Sequence, residues 1–310
     1  MQDQPRIAVL LPCFNEEATI AATVAGFRSA LPSATVYVYD NNSRDRTREI
    51  AADGGAVVRS ERQQGKGHVV RRMFADIDAD VYVMADGDLT YDPSSAQAMV
   101  DLLLADQLDM VVGTRRHDEK GAYRGGHVLG NRLFTGMLGR LFGRSFSDIF
   151  SGYRVFSRRF VKSFPVLSSG FEIETEMSVH ALELRMPVGE VETAYASRPE
   201  GSQSKLSTFG DGWRILKTIA TLYRTERPVL FFGTIGAVLM IAALVLAVPL
   251  IVTYLDTGLV PRFPTAILIT GMIIVAVLCF FAGLILDTVT RGRREVRRLA
   301  YLALPGPGGT

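Results

Sequence analysis

Cysteine is scarce. Only Cys13 and Cys279 occur in 310 residues, one in a polar motif and one in an apolar run, so no disulfide framework is encoded and a reducing compartment is expected. Net charge is nearly absent as well: 34 Lys and Arg against 32 Asp and Glu leave a formal +2, which removes any bulk electrostatic case for nucleic acid as a partner. The start, MQDQPRIAVLLPCF, lacks the basic segment and unbroken apolar core of a secretory leader, and Pro12 interrupts its apolar run. An N-terminus in the cytosol follows. The four histidines, His68, His117, His127 and His180, show no metal-ligand spacing, and His180 in FEIETEMSVHALEL reads as helical packing. Internal repeats are missing too.

What is present is alternation. RIAVLL, TVYVYD, AVVRS, VYVMAD and MVVGT are separated by helix-length stretches such as EATIAATVAGFRSAL and SSAQAMVDLLLAD. Strands alternating with helices predict an α/β fold with a mostly parallel sheet covered on both faces. In such sheets ligands bind beyond the carboxyl ends of the strands. The polar clusters fall at those ends: CFNEE after the first strand, DNNS after the second, DGD after the fourth and GTR after the fifth.

The DGD cluster carries the strongest chemical signal. Asp86 and Asp88 at i and i+2 on an extended chain project to the same side, a spacing suited to one hard divalent ion held through oxygen. Magnesium keeps open positions for phosphate oxygens, so a nucleoside diphosphate is the matching cargo. Asp92, followed by Pro93 and a helical run, reads instead as a helix cap.

Two long apolar runs close the chain. Val229 to Tyr254 and Pro264 to Leu286 carry no charged residue, and about 20 apolar residues suffice to cross a bilayer. The short LDTGLVPRF connector makes them an antiparallel hairpin. Arginines flank the outer ends, Arg224 and Arg227 before the first span and five after the second, against Arg262 alone in the connector, so both termini and the polar domain are expected in the cytosol at the plasma membrane. Domains are therefore expected at 1–208 (catalytic), 209–228 (interface helix, containing Trp213), 229–288 (spans at about 229–254 and 264–286) and 289–310 (basic tail, ending in a disordered LALPGPGGT). Within the first domain, NRLFTGMLGRLFGR places apolar residues at helical spacing over about 130–143; it reads either as a core helix or as a helix in the membrane interface with arginines toward headgroups. Gly233, Gly236, Gly271 and Gly283 permit close helix packing, within the hairpin or in a homo-oligomer.

The ordered set PCFNEEATI, YDNNSRDRT, GKGHVVRRMF, ADGDLTYDP, VVGTRR, SGYRVFSRRF and ASRPEGSQSKLSTFGDGWRIL resembles the motifs of inverting family 2 glycosyltransferases with a GT-A fold. Followed by a two-helix hairpin, it is most similar to the polyprenyl-phosphate branch that includes dolichol-phosphate mannose synthase. The resemblance implies transfer of a sugar from a nucleotide-sugar donor to a polyprenyl phosphate lipid, with Mg²⁺ or Mn²⁺ as cofactor. It also implies a donor pocket of Pro12, Asn15, Glu16, Asp40 and Asn42, with Lys66 of GKG meeting the nucleotide's charge where its glycines let the backbone approach. Asp88 would be the principal metal ligand with Asp86 assisting, and Arg198, Ser204 and Lys205 would close over the donor phosphates. Local readings coexist with these: Asn15 as a helix cap, GKG as a turn, and Glu172, Glu174 and Glu176 as partners of a helix dipole rather than acceptor-side groups.

For the acceptor, Arg115, Arg132 and Arg154 could bracket a phosphate with guanidinium forks. Asp88, Arg115, Arg132 and Lys205 are the candidate catalytic residues. A lipid phosphate with a second pKa near 6 is already mostly dianionic at neutral pH, so no essential protein base is expected. Thr90 stands where the mannose enzymes carry a glutamine, and DNNS replaces Asp-Asp-Gly-Ser; both changes resemble relatives that use UDP-sugars. N-acetylglucosamine or another N-acetylhexosamine ranks first, UDP-glucose second and GDP-mannose third. A processive polysaccharide synthase is disfavoured by the two-span hairpin and the missing Gln-x-x-Arg-Trp pattern. The contrasting class is a non-catalytic membrane scaffold that keeps the fold.

Overall fold

The computed structural model describes residues 4–116, 146–170, 172–196 and 223–307, together with residues 136, 139, 220 and 221. The chain divides into two compact units, Met1–Gly212 with Val296–Thr310, and Trp213–Glu295.

The first unit is built on seven strands: β1 (Ile7–Cys13), β2 (Thr35–Asp40), β3 (Val57–Ser60), β4 (Val81–Met84), β5 (Met110–Arg116), β6 (Arg154–Ser157) and β7 (Val188–Ala194). Their order in the sheet is β3-β2-β1-β4-β6-β5-β7. All pairings are parallel except those of β6, which runs antiparallel between β4 and β5. The five strands expected from the alternation are present; β6 and β7 are additions. The reversal of β6 matters for function, because it brings the beginning of that strand, Arg154, level with Met84 at the end of β4.

Helices α1 (Ile20–Ala30), α2 (Thr47–Asp53), α3 (Lys66–Asp76) and α4 (Ser95–Ala105) connect the parallel strands, and α5 (Arg158–Ser163) and α6 (Ile173–Glu183) follow β6. Strands β4 and β6 are buried at every position, the pattern of strands covered on both faces. Period-2 alternation divides their side chains between two cores. Val9, Leu11, Val83 and Val155 pack with Ile20, Val24 and Phe27 of α1 and Met99, Val100 and Leu103 of α4. Phe74 of α3 meets Tyr82, Phe156 and Phe164 edge-on at 5.9 to 6.3 Å between ring centres. Each fully buried side chain of this size contributes about 1.5–3 kcal/mol. The short, largely exposed β3 ends the sheet with Arg59 and Ser60, which discourages edge pairing.

The second unit holds two long helices, α7 (Pro228–Thr257) and the major part of α8 (Phe263–Leu302), both long and apolar enough to cross a membrane. Only 11% and 17% of their most apolar windows are buried within the protein, so their apolar surface has to be covered by something else. Pro228 opens α7 at a position that needs no N–H, and Gly258 closes it in the left-handed conformation (φ 69°), its N–H donating to Tyr254 O at 2.8 Å. A Cβ on Gly236 would lie 2.9 Å from Ala276 O, and one on Gly283 3.2 Å from Val229 Cα, so these two glycines set the close approach of the pair. Among the described residues, a Cβ on Gly233 or Gly271 would meet nothing from outside its own helix backbone within 4 Å.

The basic stretch expected as a tail after the second span is helical, continuing α8 to Leu302, with an i,i+4 pair of Asp287 and Arg291 at 2.7 Å. Within the first unit Arg297 pairs with Glu183 at 2.6 Å, and the Tyr301 hydroxyl donates to buried Asp109 at 2.7 Å. Arg159 clamps Asp109 through Nε and Nη2 and lies over the Tyr301 ring at 4.7 Å. The phenol of Tyr301 is thus shared between a carboxylate and a guanidinium.

Candidate active site

The ADGDLTYDP loop leaves β4 at the carboxyl edge of the sheet. Its glycine is dictated by packing, since a Cβ on Gly87 would come within 2.5 Å of Cys13 Sγ at the end of β1. The Gly87 carbonyl accepts from the hydroxyls of Thr19 at 2.9 Å and Thr23 at 3.2 Å, which pins the loop to α1. Asp88 is 2% exposed, and its Oδ1 accepts from Thr90 Oγ1 at 2.6 Å and Thr90 N at 3.2 Å. Thr90 thus orients the aspartate. Asp92 accepts from Ser94 N and Oγ at 2.9 and 2.5 Å, in the turn that starts α4.

Asp86 points to a buried cation. Lys66 Nζ lies 2.5 Å from Asp86 Oδ1 and 2.6 Å from Glu174 Oε1, with side-chain exposures of 8% for Lys66, 30% for Asp86 and 6% for Glu174. Burial alone lowers the Lys66 pKa, but the two carboxylates outweigh it and hold the ammonium above its ordinary range. Burial likewise pushes the Glu174 carboxyl up, with Lys66 opposing. Sequence reasoning favoured a dipole role for Glu174. The first turn of α6 does carry it, yet its side chain enters the site, and a carboxylate at a helix start has too ordinary a local explanation to signal this.

The glycines around Lys66 have a packing role within the chain. A Cβ on Gly67 would sit 2.1 Å from Ser168 O and one on Gly65 (φ 137°) 2.2 Å from Ser169 O. The backbone these glycines admit is the chain's own 168–169 segment, fixed by Gly67 N donating to Ser169 O at 3.1 Å. Glu176 holds the same segment from the other side, accepting from Leu167 N and Ser168 N at 2.9 and 2.8 Å. Over Asp86 lies the SGYR loop. A Cβ on Gly152 would be 2.9 Å from Asp86 Oδ2 and 3.2 Å from Lys66 Nζ, and Gly152 N donates to the buried Tyr91 hydroxyl at 2.8 Å.

On the donor side, Pro12 and Cys13 at the end of β1 register with Tyr39 and Asp40 of β2. Asp40 is 2% exposed and accepts from Ser43 N at 3.3 Å. Asn15, left-handed at φ 53°, is not the cap of α1, whose N-cap is Thr19; its Oδ1 accepts from Arg44 N at 2.9 Å and so joins the loops after β1 and β2. Glu16, 8% exposed, takes Thr47 Oγ1 as acceptor for its N–H at 2.8 Å. Asn42 donates to Arg62 O at 2.8 Å. Asn41, which sequence reasoning passed over, is the organiser here: it donates to Glu61 O and Gln63 O and accepts from Gly65 N at 2.7 Å.

The acceptor arginines separate. Arg115 forks onto Asp148 through Nε at 2.6 Å and Nη2 at 2.8 Å and lies 5.3 Å from the Tyr195 ring centre, at the carboxyl end of β5. Asp148 occupies one edge of this guanidinium, leaving Nη1 as the edge outside the pair. Arg154 is corrected outright. It is wholly buried and donates to Ser151 O, Ile149 O and Ser178 Oγ at 2.6 to 2.9 Å, so its fork braces the SGYR loop and cannot face a lipid phosphate. Burial lowers its pKa to about 10. Arg132, Arg198, Ser204, Lys205 and the helix expected over 130–143 lie outside the described residues.

Could these residues hold a divalent ion? Among the described residues no group of three His, Cys, Asp or Glu is placed to do so. Asp86 and Asp88 supply two hard oxygen ligands, one of them the most exposed member of the lysine cluster. That suits an ion such as Mg²⁺, which takes one or two carboxylates and completes its shell with phosphate oxygens.

A mostly parallel sheet with one reversed strand, and carboxylates gathered at its carboxyl edge, define a GT-A type catalytic domain. The chain belongs to glycosyl transferase family 2, whose family model matches residues 8–164, and it is a glycosyltransferase. Glycosyltransferase AglJ of Haloferax volcanii is 37% identical over 232 residues, 74% of this chain and 76% of that protein. A dolichyl-phosphate hexose transferase of the same organism is 28% identical over 223 residues, 71% of this chain and 95% of its own length. Among solved structures, glucosyl-3-phosphoglycerate synthase of Mycobacterium tuberculosis in complex with Mn²⁺, UDP and phosphoglyceric acid superposes with a TM-score of 0.59 at 23% identity, over 71% of this chain and 78% of that one.

Proposed function

We propose that the protein is a membrane-bound inverting glycosyltransferase that moves a sugar from a UDP-sugar to polyprenyl phosphate. The observation that carries this is the pairing of Asp86 and Asp88, beside buried Lys66, with two C-terminal helices whose apolar surface is left uncovered by protein. The dolichyl-phosphate hexose transferase relative supports a lipid phosphate acceptor, and the Mn²⁺ and UDP of the glucosyl-3-phosphoglycerate synthase complex support the donor and ion classes. In the reaction, an oxygen of the lipid phosphate attacks the anomeric carbon from the face opposite UDP. The bond from that carbon to the donor phosphate oxygen breaks and its electron pair leaves with UDP. A bound Mg²⁺ or Mn²⁺ supplies charge stabilisation for the departing diphosphate. Asp86 and Asp88 hold that ion, Thr90 orients Asp88, and Lys66 contributes positive charge near the diphosphate. Arg115 offers its Nη1 edge to the acceptor, with Arg132, Arg198, Ser204 and Lys205 completing the phosphate contacts. An N-acetylhexosamine is the first-ranked sugar, ahead of glucose and mannose. The catalytic domain and both termini face the cytosol at the plasma membrane, where donor is available and the sugar-lipid product can be used across the bilayer.

The purified full chain in detergent, given Mn²⁺, tests this by release of nucleoside diphosphate from UDP-N-acetylglucosamine, UDP-glucose and GDP-mannose. Release is expected only when polyprenyl phosphate is present, and most strongly with UDP-N-acetylglucosamine. Release independent of the lipid, or from none of the three donors, would refute the proposal.

A further inference from the structure

The position of Lys66 goes beyond a positive charge near phosphate. Its ammonium bridges two carboxylates of unequal burial, Glu174 on the inner side at 6% exposure and Asp86 on the outer side at 30%. Asp86 is also one of the two carboxylates suited to the divalent ion, so a metal and an ammonium would compete for the same carboxylate. Lys66 has little freedom to leave. It starts α3, and its neighbours Gly65 and Gly67 are clamped against the carbonyls of Ser168 and Ser169. The Gly152 backbone lies close as well, since a Cβ there would be 3.2 Å from Nζ. Glu174 Oε1, 2.6 Å from Nζ, is in place to keep the ammonium when Asp86 is taken.

We propose that Lys66 is the resident cation of the carboxylate site, shared by Asp86 and Glu174 in the metal-free protein and retained by Glu174 when a divalent ion takes Asp86. Glu174 is then a positioning residue: it receives the displaced ammonium, lowers the cost of metal entry and keeps Lys66 beside the donor diphosphate. This rests on the metal-dependent reading of the site given above.

The test is Mn²⁺ affinity, read by electron paramagnetic resonance of the free ion, in the full chain in detergent for wild type, Glu174→Gln, Lys66→Met and the double variant. Without Glu174 the ammonium stays on Asp86, so Glu174→Gln binds Mn²⁺ about tenfold more weakly, whereas Lys66→Met, lacking the competitor, binds about tenfold more tightly. The decisive comparison is the double variant. Because Glu174 acts through Lys66, adding Glu174→Gln to Lys66→Met changes the affinity by no more than about twofold. An equal loss from Glu174→Gln with and without Lys66, or no effect of either substitution, overturns the proposal. If Lys66→Met fails to fold because Glu174 is left buried and unpaired, the charge-balanced double variant is compared with wild type directly; it must bind Mn²⁺ more tightly, and equal or weaker binding overturns the proposal. Wild type without any Mn²⁺ site overturns this inference and the metal-dependent function together. Wild type that binds Mn²⁺ and makes sugar-lipid, but shows no coupling between the two residues, overturns the inference alone.

Discussion

Thr90 donates its hydroxyl to Asp88 Oδ1 at 2.6 Å while its backbone N–H reaches the same oxygen at 3.2 Å. The threonine expected to distinguish this chain from the mannose enzymes therefore fixes the carboxylate proposed as the principal metal ligand. Thr90→Val keeps the shape and removes the hydroxyl. A hydrogen bond to a charged group is worth about 1.5–3 kcal/mol, so initial transfer rates should fall roughly 10- to 100-fold. Thr90→Ser should retain most of the rate, and a valine variant that transfers at the wild-type rate would contradict the assignment.

Gly67 faces backbone, which cannot yield as a flexible side chain would. With a Cβ placed 2.1 Å from Ser168 O, Gly67→Ala should cost about 1–3 kcal/mol through overpacking, visible as a lowered midpoint in thermal unfolding by circular dichroism. An unchanged midpoint would mean that the 168–169 segment is not seated there.

Acid stability should reflect His180. Its ring is buried against Phe160 and Phe164, at 5.4 and 5.2 Å between centres, and burial, aided by the Arg297 charge, lowers its pKa to about 3. The folded protein therefore keeps it neutral while the unfolded chain takes up a proton near its ordinary value of about 6.5. Stability from this site is complete above that value and is lost as the pH falls toward 3, with a slope of up to about 1.4 kcal/mol per pH unit. His180→Leu should flatten the pH dependence of denaturant unfolding in this window; identical slopes in the two proteins would exclude the histidine as its source.

The paired helices make a contrasting prediction about two glycines one turn apart. Gly236→Leu intrudes on the Ala276 carbonyl and should destabilise the helix pair by about 1–3 kcal/mol, whereas Gly233→Leu, with open space around it, should not. Thermal aggregation of the detergent-solubilised chain, followed by size exclusion, distinguishes them.

Much of this was legible in the sequence. Five strands, the polar clusters at their carboxyl ends and the two long apolar helices follow from periodicity and length. Strand β6 did not, because four buried residues, RVFS, carry no period that separates strand from helix, and without its reversal the burial of Arg154 cannot be foreseen. Nor could Glu174, whose place at a helix start has a sufficient local reason. The GKG glycines announced a close backbone approach correctly but not whose backbone it was. Asn15 looked like a cap because Asn before an apolar run commonly is one; the left-handed turn it adopts instead serves the neighbouring loop.

The central claim is transfer of one sugar onto a lipid phosphate. Mass spectrometry of the organic extract after incubating the purified chain with UDP-N-acetylglucosamine, Mn²⁺ and polyprenyl phosphate tests it most directly. The expected product is a lipid heavier by a single N-acetylhexosamine residue, formed by wild type and lost in Asp88→Asn. Unmodified lipid with sugar released to water, a polymer of sugars, or undiminished product from Asp88→Asn would contradict it.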